Sequence, residues 1–304
     1  MRQNNGDRVA VANHYNARPN IGISARNESP IIGLKNFNNW IKSVLVATFG
    51  RREGSSEPRI KVLDLGCGKG GDLQKWAKAG TDELVGIDLA EVSIEQARER
   101  WQSMRNRPNV ASFHVCDCFE TSIEQVLDNT TLSRPFDVVS MQFCMHYAFE
   151  TKEKAHMMLS NVSRFLRPGG RFIGTIPDAE NLLSRLDAIE DDNNLAFGNS
   201  VYGIKFDHRT WDSPFGHRYT FYLQDAVDEV PEYVVYWEEF VQMAENYGLE
   251  LSYCKDFQQI FADEKDDSHF ATLLKRMKVV NQRGETEMTV DQWEAASKLY
   301  NIEL

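Results

Sequence analysis

The chain predicts an α/β fold with a mainly parallel central sheet and helices on both faces. Three observations carry that expectation. Between residues 61 and 177, short apolar runs alternate with stretches of helical period. One of those runs leads into the glycine-rich turn Gly66-Cys67-Gly68-Lys69-Gly70-Gly71. Four polar residues, Asp64, Asp88, Asp117 and Gln142, fall at the carboxyl ends of apolar runs, which is where open parallel sheets bind ligands.

In chain order, residues 1–12 are polar and read as loose. Phe37, Trp40, Ile41, Val44, Leu45 and Thr48 recur at i, i+3, i+4 and i+7, which predicts a helix over 36–49. It sits in an N-terminal segment, 13–50, expected to line the site, with Asn38, Asn39 and Lys42 on or beside its polar face. The first strand is Lys61–Leu65, followed by a helix over 72–79 that Gly80 stops. Glu83–Asp88 is the second strand; Ile94, Ala97, Trp101 and Met104 mark the buried side of the next helix. Val110–Cys116 alternates like a strand, and Phe136–Met141 is almost wholly apolar, as a central parallel strand should be. Ala155, Met158, Leu159, Val162, Phe165 and Leu166 describe a helix closed by Arg167-Pro168-Gly169-Gly170, and Arg171–Ile176 is the next strand, closed by Pro177.

The pattern then changes. Residues 178–200 read as a helix with an acidic tail, and 201–236 as short aromatic strands and turns, with Tyr233–Tyr236 a strand and the aromatics of 201–222 assigned to packing. No flexible linker bounds this stretch, so 178–231 is expected to be an insertion within one domain spanning 1–304. Trp237, Phe240, Val241, Ala244 and Tyr247 define a helix, Leu249–Cys254 a strand, and Phe270, Leu273, Leu274 and Met277 another helical face. Thr289 and Gln292 have capping-box spacing, opening a last helical turn or two before Tyr300.

Composition narrows the partners. Lys+Arg 34 against Asp+Glu 45 gives a net charge of −11, which argues against a broad grip on nucleic-acid duplexes but not against a small anionic group held by a few cations. The five cysteines are scattered without zinc-site spacing, so no metal is expected and a reducing compartment is the simpler setting. The first residues lack the apolar core of a signal peptide, and no apolar run is long enough to span a membrane. The sequons at Asn27, Asn129 and Asn161 therefore read as chance.

The glycine turn matches G-x-G-x-x-G numerically, but that pattern alone is weak. Asp64 inside the preceding strand and Lys69 within the turn are unusual for a dinucleotide site, and an acid at a strand end suits a cationic ligand. The plainer alternative is a buried Asp64 that only caps local backbone.

Several blocks together resemble the eukaryotic mRNA cap (guanine-N7) methyltransferase family. They are His14-Tyr15-Asn16, Ser29-Pro30-Ile31, Leu34 through Lys42, Leu63 through Asp72, Gly86 through Ala90, Gln142 through Phe149, Leu166 through Gly170, and Glu232-Tyr233. The resemblance implies a Rossmann-like class I S-adenosylmethionine-dependent methyltransferase fold with an inserted, lid-like region. It also implies S-adenosylmethionine as methyl donor, the 5′ guanosine of capped RNA as acceptor and a nuclear location. A monomer is expected, with association to a capping enzyme or RNA polymerase II. Carried over, Lys42, Asp64, Gly66, Asp88, Asp117, Gln142 and Tyr147 would form the methyl-donor site, with Asp88 on the ribose, Asp117 on the adenine and Lys42 on the carboxylate. Asn38, Asn39, Lys69, Asp72, Arg100, Phe143, His146, Tyr147, Glu232 and Tyr300 would hold the cap, Lys69 and Arg100 through its phosphates and Asp72 through its ribose. Two other classes stay open on sequence: a small-molecule methyltransferase, which the sheet and glycine turn alone would allow, and a non-catalytic binding module on the same scaffold.

Overall fold

The computed structural model describes residues 5–18, 27–50, 60–297 and 299–303. A seven-stranded sheet organises the chain, in the order β10-β11-β5-β4-β1-β2-β3. Its strands are β1 (Ile60–Leu65), β2 (Thr81–Asp88), β3 (Val110–Val115), β4 (Phe136–Gln142), β5 (Leu166–Pro177), β10 (Tyr253–Asp256) and β11 (Leu299–Glu303). The first five pair in parallel; β11 lies antiparallel between β5 and β10. Every residue of β1 and β4 is buried, so apolar residues predominate in both, with Lys61, Asp64, Asp137, Ser140 and Gln142 as buried polar exceptions. Strand order reverses between β1 and β4, so their carboxyl ends splay open into a crevice.

The helices follow the sequence pattern with informative exceptions. Residues 5–12, expected to be loose, are part of α1 (Asn5–Ala17). Its apolar content is too low for a periodic signal; it is fixed by ion pairs to other elements. The predicted helix over 36–49 is α2, and it begins earlier (Ile32–Phe49). Its apolar face, with Phe37, Trp40 and Ile41, is fully buried against Phe257, Ile260, Leu273 and Leu274. Those partners lie on α9 (Phe257–Glu264), which the sequence reading missed, and α10 (Ser268–Arg276). Between them come α3 (Leu73–Ala79), α4 (Glu91–Ser103), α5 (Asn129–Leu132), α6 (Lys152–Ser163), α7 (Ala179–Asp187) and α8 (Trp237–Glu245), and α11 (Val290–Ala296) follows α10. Gly80 ends α3 at φ 84°, a left-handed cap that a side chain would strain. Helix α6 stops at Ser163, and Arg167 to Gly170 belong to the start of β5, where the register with β4 shifts.

The stretch after Pro177 builds a second, four-stranded antiparallel sheet from β6 (Ala196–Gly198), β7 (Tyr202–Phe206), β8 (Arg218–Leu223) and β9 (Val227–Tyr233). Here the strand is 227–233 rather than Tyr233–Tyr236, and β10 starts at Tyr253 rather than Leu249. Residues 234–236 and 249–252 lie outside the strands although Val234, Val235 and Leu249 are buried, so their apolar character reflects packing rather than strand pairing. At α11 half of the expected capping box forms: Thr289 accepts from the Gln292 N–H at 3.2 Å. The Gln292 side chain instead serves α2, accepting from the Leu34 N–H at 3.2 Å and donating to the Pro30 carbonyl at 3.1 Å. No described helix is long and apolar enough to cross a membrane.

Asn161 joins α6 to the loop after β3. Its Oδ1 accepts from the Ile123 N–H at 3.1 Å, and its Nδ2 donates to the Cys118 and Thr121 carbonyls at 2.7 and 2.9 Å. Only 1% of its surface is exposed, so this sequon has no room for a glycan. Asn161→Ala strands three backbone groups and is expected to destabilise the fold by roughly 2–4 kcal/mol. Urea unfolding followed by circular dichroism measures this, and a shift indistinguishable from zero would contradict it.

Candidate active site

The turn after β1 is built by its backbone. Gly66 has φ 70°, and a Cβ there would stand 2.5 Å from the Cys144 Sγ, so the position requires glycine on both counts. The Gly66 and Cys67 N–H groups donate to the Ile87 carbonyl, tying the turn to the end of β2. There Asp88 accepts from the Gly68 N–H with one oxygen and from the Ala90 N–H with the other, both at 2.8 Å. Burial raises the Asp88 pKa while these two bonds oppose the rise.

Beyond these strand ends lies a cavity of about 240 Å³. Gly66, Asp88, Asp117, Gln142 and Tyr147 line it, five of the seven residues expected at the methyl-donor site. Asp117 accepts from the Phe119 N–H at 3.0 Å and pairs with Arg8 Nε at 2.8 Å. Gln142 donates to Ser140 at 3.2 Å, while its buried Oε1 has no partner among the described residues. Arg8, Val11, Ala12 and Tyr15 of α1 form the opposite wall; their i, i+3, i+4, i+7 spacing puts them on one helix face. Cys116, Cys118 and Cys144 also line the cavity. Burial, then neighbouring charge from Asp117 or Asp88, raises each thiol's pKa, and the Cys144 thiol donates to the Leu65 carbonyl at 3.2 Å.

A second cavity of about 190 Å³ adjoins the first, and Tyr15 and Phe143 line both. Phe143 follows β4 with φ 60°, a strained conformation held by its N–H donating to Thr175 Oγ1 at 2.8 Å. Asn38, His146 and Glu232 supply polar groups here. Glu232 is 6% exposed, accepts from the Tyr219 hydroxyl at 2.9 Å and lies 3.3 Å from His146 Nε2. His146 Nδ1 and Asn38 Oδ1 have no partner among the described residues. Tyr202, Tyr219 and Phe221, read from sequence as packing of the insertion, also form walls of this cavity.

Asn39, Lys42, Asp64, Lys69, Asp72 and Arg100 lie outside both cavities. Lys42 and Lys75 pair with Asp72 at 2.8 and 2.7 Å, and Lys75 also donates to Asn39 Oδ1 at 3.1 Å. Burial alone would raise Asp72, yet the two ammonium groups hold it well below the usual carboxylate range. Asp64, buried in β1, is pushed up to about 8, first by burial and then by the Asp72 charge, against the pull of Lys42. Lys69 donates to the Arg18 carbonyl at 2.6 Å and Arg100 to the Gly70 carbonyl at 3.4 Å. Burial and the charges of Arg18 and Arg100 lower the Lys69 pKa, so three cations share the outer side of the turn. Tyr300 is placed by its backbone in β11, opposite Ile176; its side chain lies outside the described residues. Sequence reasoning did not assign Arg8 or Tyr15 to the site. Tyr15 belongs to the family-like block His14-Tyr15-Asn16, whereas nothing local marks Arg8.

The model of the mRNA (guanine-N(7))-methyltransferase domain matches residues 1–303. An mRNA cap guanine-N(7) methyltransferase of Cryptococcus neoformans is 52% identical over 291 residues, covering 95% of this chain and 46% of that protein. One of Schizosaccharomyces pombe is 46% identical over 298 residues, covering 97% of this chain and 81% of that protein. The chain thus spans about half the length of the Cryptococcus relative. Among solved structures, an S-adenosylmethionine-dependent methyltransferase from Clostridium acetobutylicum aligns over 89% of this chain and 90% of its own, with TM-score 0.50 and 14% identity, a likeness of fold.

The Asp64 proton sets a pH dependence. In the folded chain this carboxyl keeps its proton up to about pH 8, whereas an unfolded Asp loses it near 3.8. The folded state therefore binds the extra proton between these values, and stability from this group falls as pH rises through the window and levels off above it. Chemical unfolding between pH 5 and 8.5 should show a steeper fall for the native chain than for Asp64→Asn; parallel curves would refute the assignment.

Proposed function

The chain belongs to the mRNA (guanine-N(7))-methyltransferase family, whose methyl donor is S-adenosylmethionine, and on that premise we propose that it methylates N7 of the 5′ guanosine cap of mRNA. The observation that carries this reading is the pair of adjoining cavities with a common wall, one ringed by strand-end acids and the other closed by Glu232.

The first cavity suits the methyl donor. Asp88, with both oxygens already fixed by backbone N–H groups, would take the ribose hydroxyls, and Asp117, exchanging Arg8, would take the adenine amino group. The orphan Gln142 Oε1 offers a buried acceptor. Lys42 Nζ lies 5.7 Å from the Phe143 ring centroid, and would hold the donor's carboxylate by exchanging it for Asp72. Bound there, S-adenosylmethionine supplies an electrophilic methyl group on a cationic sulfur.

The second cavity suits guanine. Its N1–H and exocyclic NH₂ lie on one edge, so the single carboxylate of Glu232, kept in place by Tyr219, can accept from both. His146 and Asn38 add polar atoms that lack partners, and the aromatic walls cover the ring faces. Outside, Lys69, Arg18 and Arg100 would meet the cap phosphates. Guanine N7 presents a lone pair and loses no proton on methylation, so no side chain need act as general base. Phe143, His146, Tyr147 and Glu232 then act by holding N7 in line with the methyl carbon. Asn39, Asp64 and Asp72 back these groups, and Gly66 lets the backbone come close. The same reading puts the protein in the nucleus as a monomer on nascent transcripts, in association with a capping enzyme or RNA polymerase II.

The direct test supplies labelled S-adenosylmethionine and GpppN-capped RNA, then digests the product; labelled 7-methylguanosine is expected, and its absence would sink the proposal. Glu232→Gln removes the charge that two guanine donors need. It should lower kcat/KM on capped RNA by about 100-fold or more, on two hydrogen bonds to a charged group, while methyl-donor affinity by calorimetry holds. Equal loss of donor binding would mean Glu232 supports the whole site instead.

A further inference from the structure

Tyr15 belongs to neither the sheet nor the insertion, yet it lines both cavities. Its hydroxyl lies 3.2 Å from that of Tyr147, which lines the first cavity. Burial raises both phenols, Tyr15 to about 12, so the two meet as neutral hydroxyls at any physiological pH. Helix α1 brings Tyr15 there and is anchored some two turns earlier. Asp7 accepts from Arg218 Nε at 2.7 Å and from the Tyr233 hydroxyl at 2.6 Å, and Arg8 bridges Asp117 and Glu120 at 2.8 and 3.1 Å. The anchors reach β8, β9 and the loop after β3, so α1 spans the mouth between the two sheets.

We propose that Tyr15 is a positioning residue of methyl transfer. Its ring is the part of the common wall that α1 contributes, and its bond to Tyr147 fixes the gap between the methyl-donor cavity and the guanine cavity. The proposal rests on cap methylation as the reaction. In that reaction the N7 lone pair forms the new C–N bond, the C–S pair returns to sulfur, and no proton moves. A neutral hydroxyl pair can hold such a gap without competing for the methyl group or for a proton. What it supplies is distance, and rate depends steeply on distance: a displacement of about 1 Å costs on the order of 100-fold.

The test compares the native chain, Tyr15→Phe and Tyr15→Ala with saturating S-adenosylmethionine and GpppN-capped RNA in single turnovers. Donor and cap-analogue affinities are measured separately by calorimetry, and unfolding by circular dichroism. Tyr15→Ala should lose about 100-fold in rate with each affinity changed by no more than about threefold. Tyr15→Phe keeps the ring and should recover most of that loss, staying within about tenfold of native, the scale of one neutral hydrogen bond. If Tyr15→Ala does not fold, a cycle with Tyr15→Phe and Tyr147→Phe decides: non-additive rate losses support the pair, and additive ones overturn it. Single-turnover rates unchanged in Tyr15→Ala, or losses confined to affinity, overturn the inference while leaving cap methylation standing. A native chain with no activity on capped RNA removes both.

Discussion

Removing a carboxylate from water is expensive unless something answers its charge, and this fold gathers four carboxylates around the mouth of one sheet. Each is answered differently. Asp88 takes two backbone N–H groups, and Asp117 takes one N–H and Arg8. Asp72 takes two lysines, and Asp64 keeps its proton. Much of the architecture follows. Arg8 can reach Asp117 only if α1 crosses the mouth, and Lys42 can reach Asp72 only if α2 lies along α3. The helices that close the site are therefore held partly by the charges the site requires.

That arrangement also explains what could be read from sequence. The parallel core was legible because β1 and β4 are buried on both faces, and α2 because one buried stripe repeats with helical period. Asp88, Asp117 and Gln142 were legible as site residues because a strand end is a place on a known kind of sheet. Helix α1 was not: the face it turns to the cavity, Arg8-Val11-Ala12-Tyr15, mixes charge with apolar surface, and its partners lie far along the chain. The second sheet was blurred because its strands are short and twist around aromatic side chains that serve as core and cavity wall together. The mutual pairing of Lys42 and Asp72 depends on how two helices dock, which no local pattern encodes.

An acidic protein proposed to act on a polyanion is less odd in this light. The negative groups face inward, where a cationic ligand and a base that ends cationic would both profit from them. The cations that would meet phosphate, Lys69, Arg18 and Arg100, form one small outer cluster rather than a basic surface. Net charge and local recognition are separate properties here, divided between the two sides of one glycine turn.

The sulfurs of the first cavity bring out a chemical consequence. A thiolate is a better nucleophile than guanine N7, and three cysteines line the space assigned to an alkylating agent. Each sits where burial and a nearby carboxylate keep the sulfur protonated, and Cys144 spends its hydrogen on the Leu65 carbonyl. The acids that would welcome the sulfonium would thus also disarm the protein's own competing nucleophiles and guard it against self-alkylation.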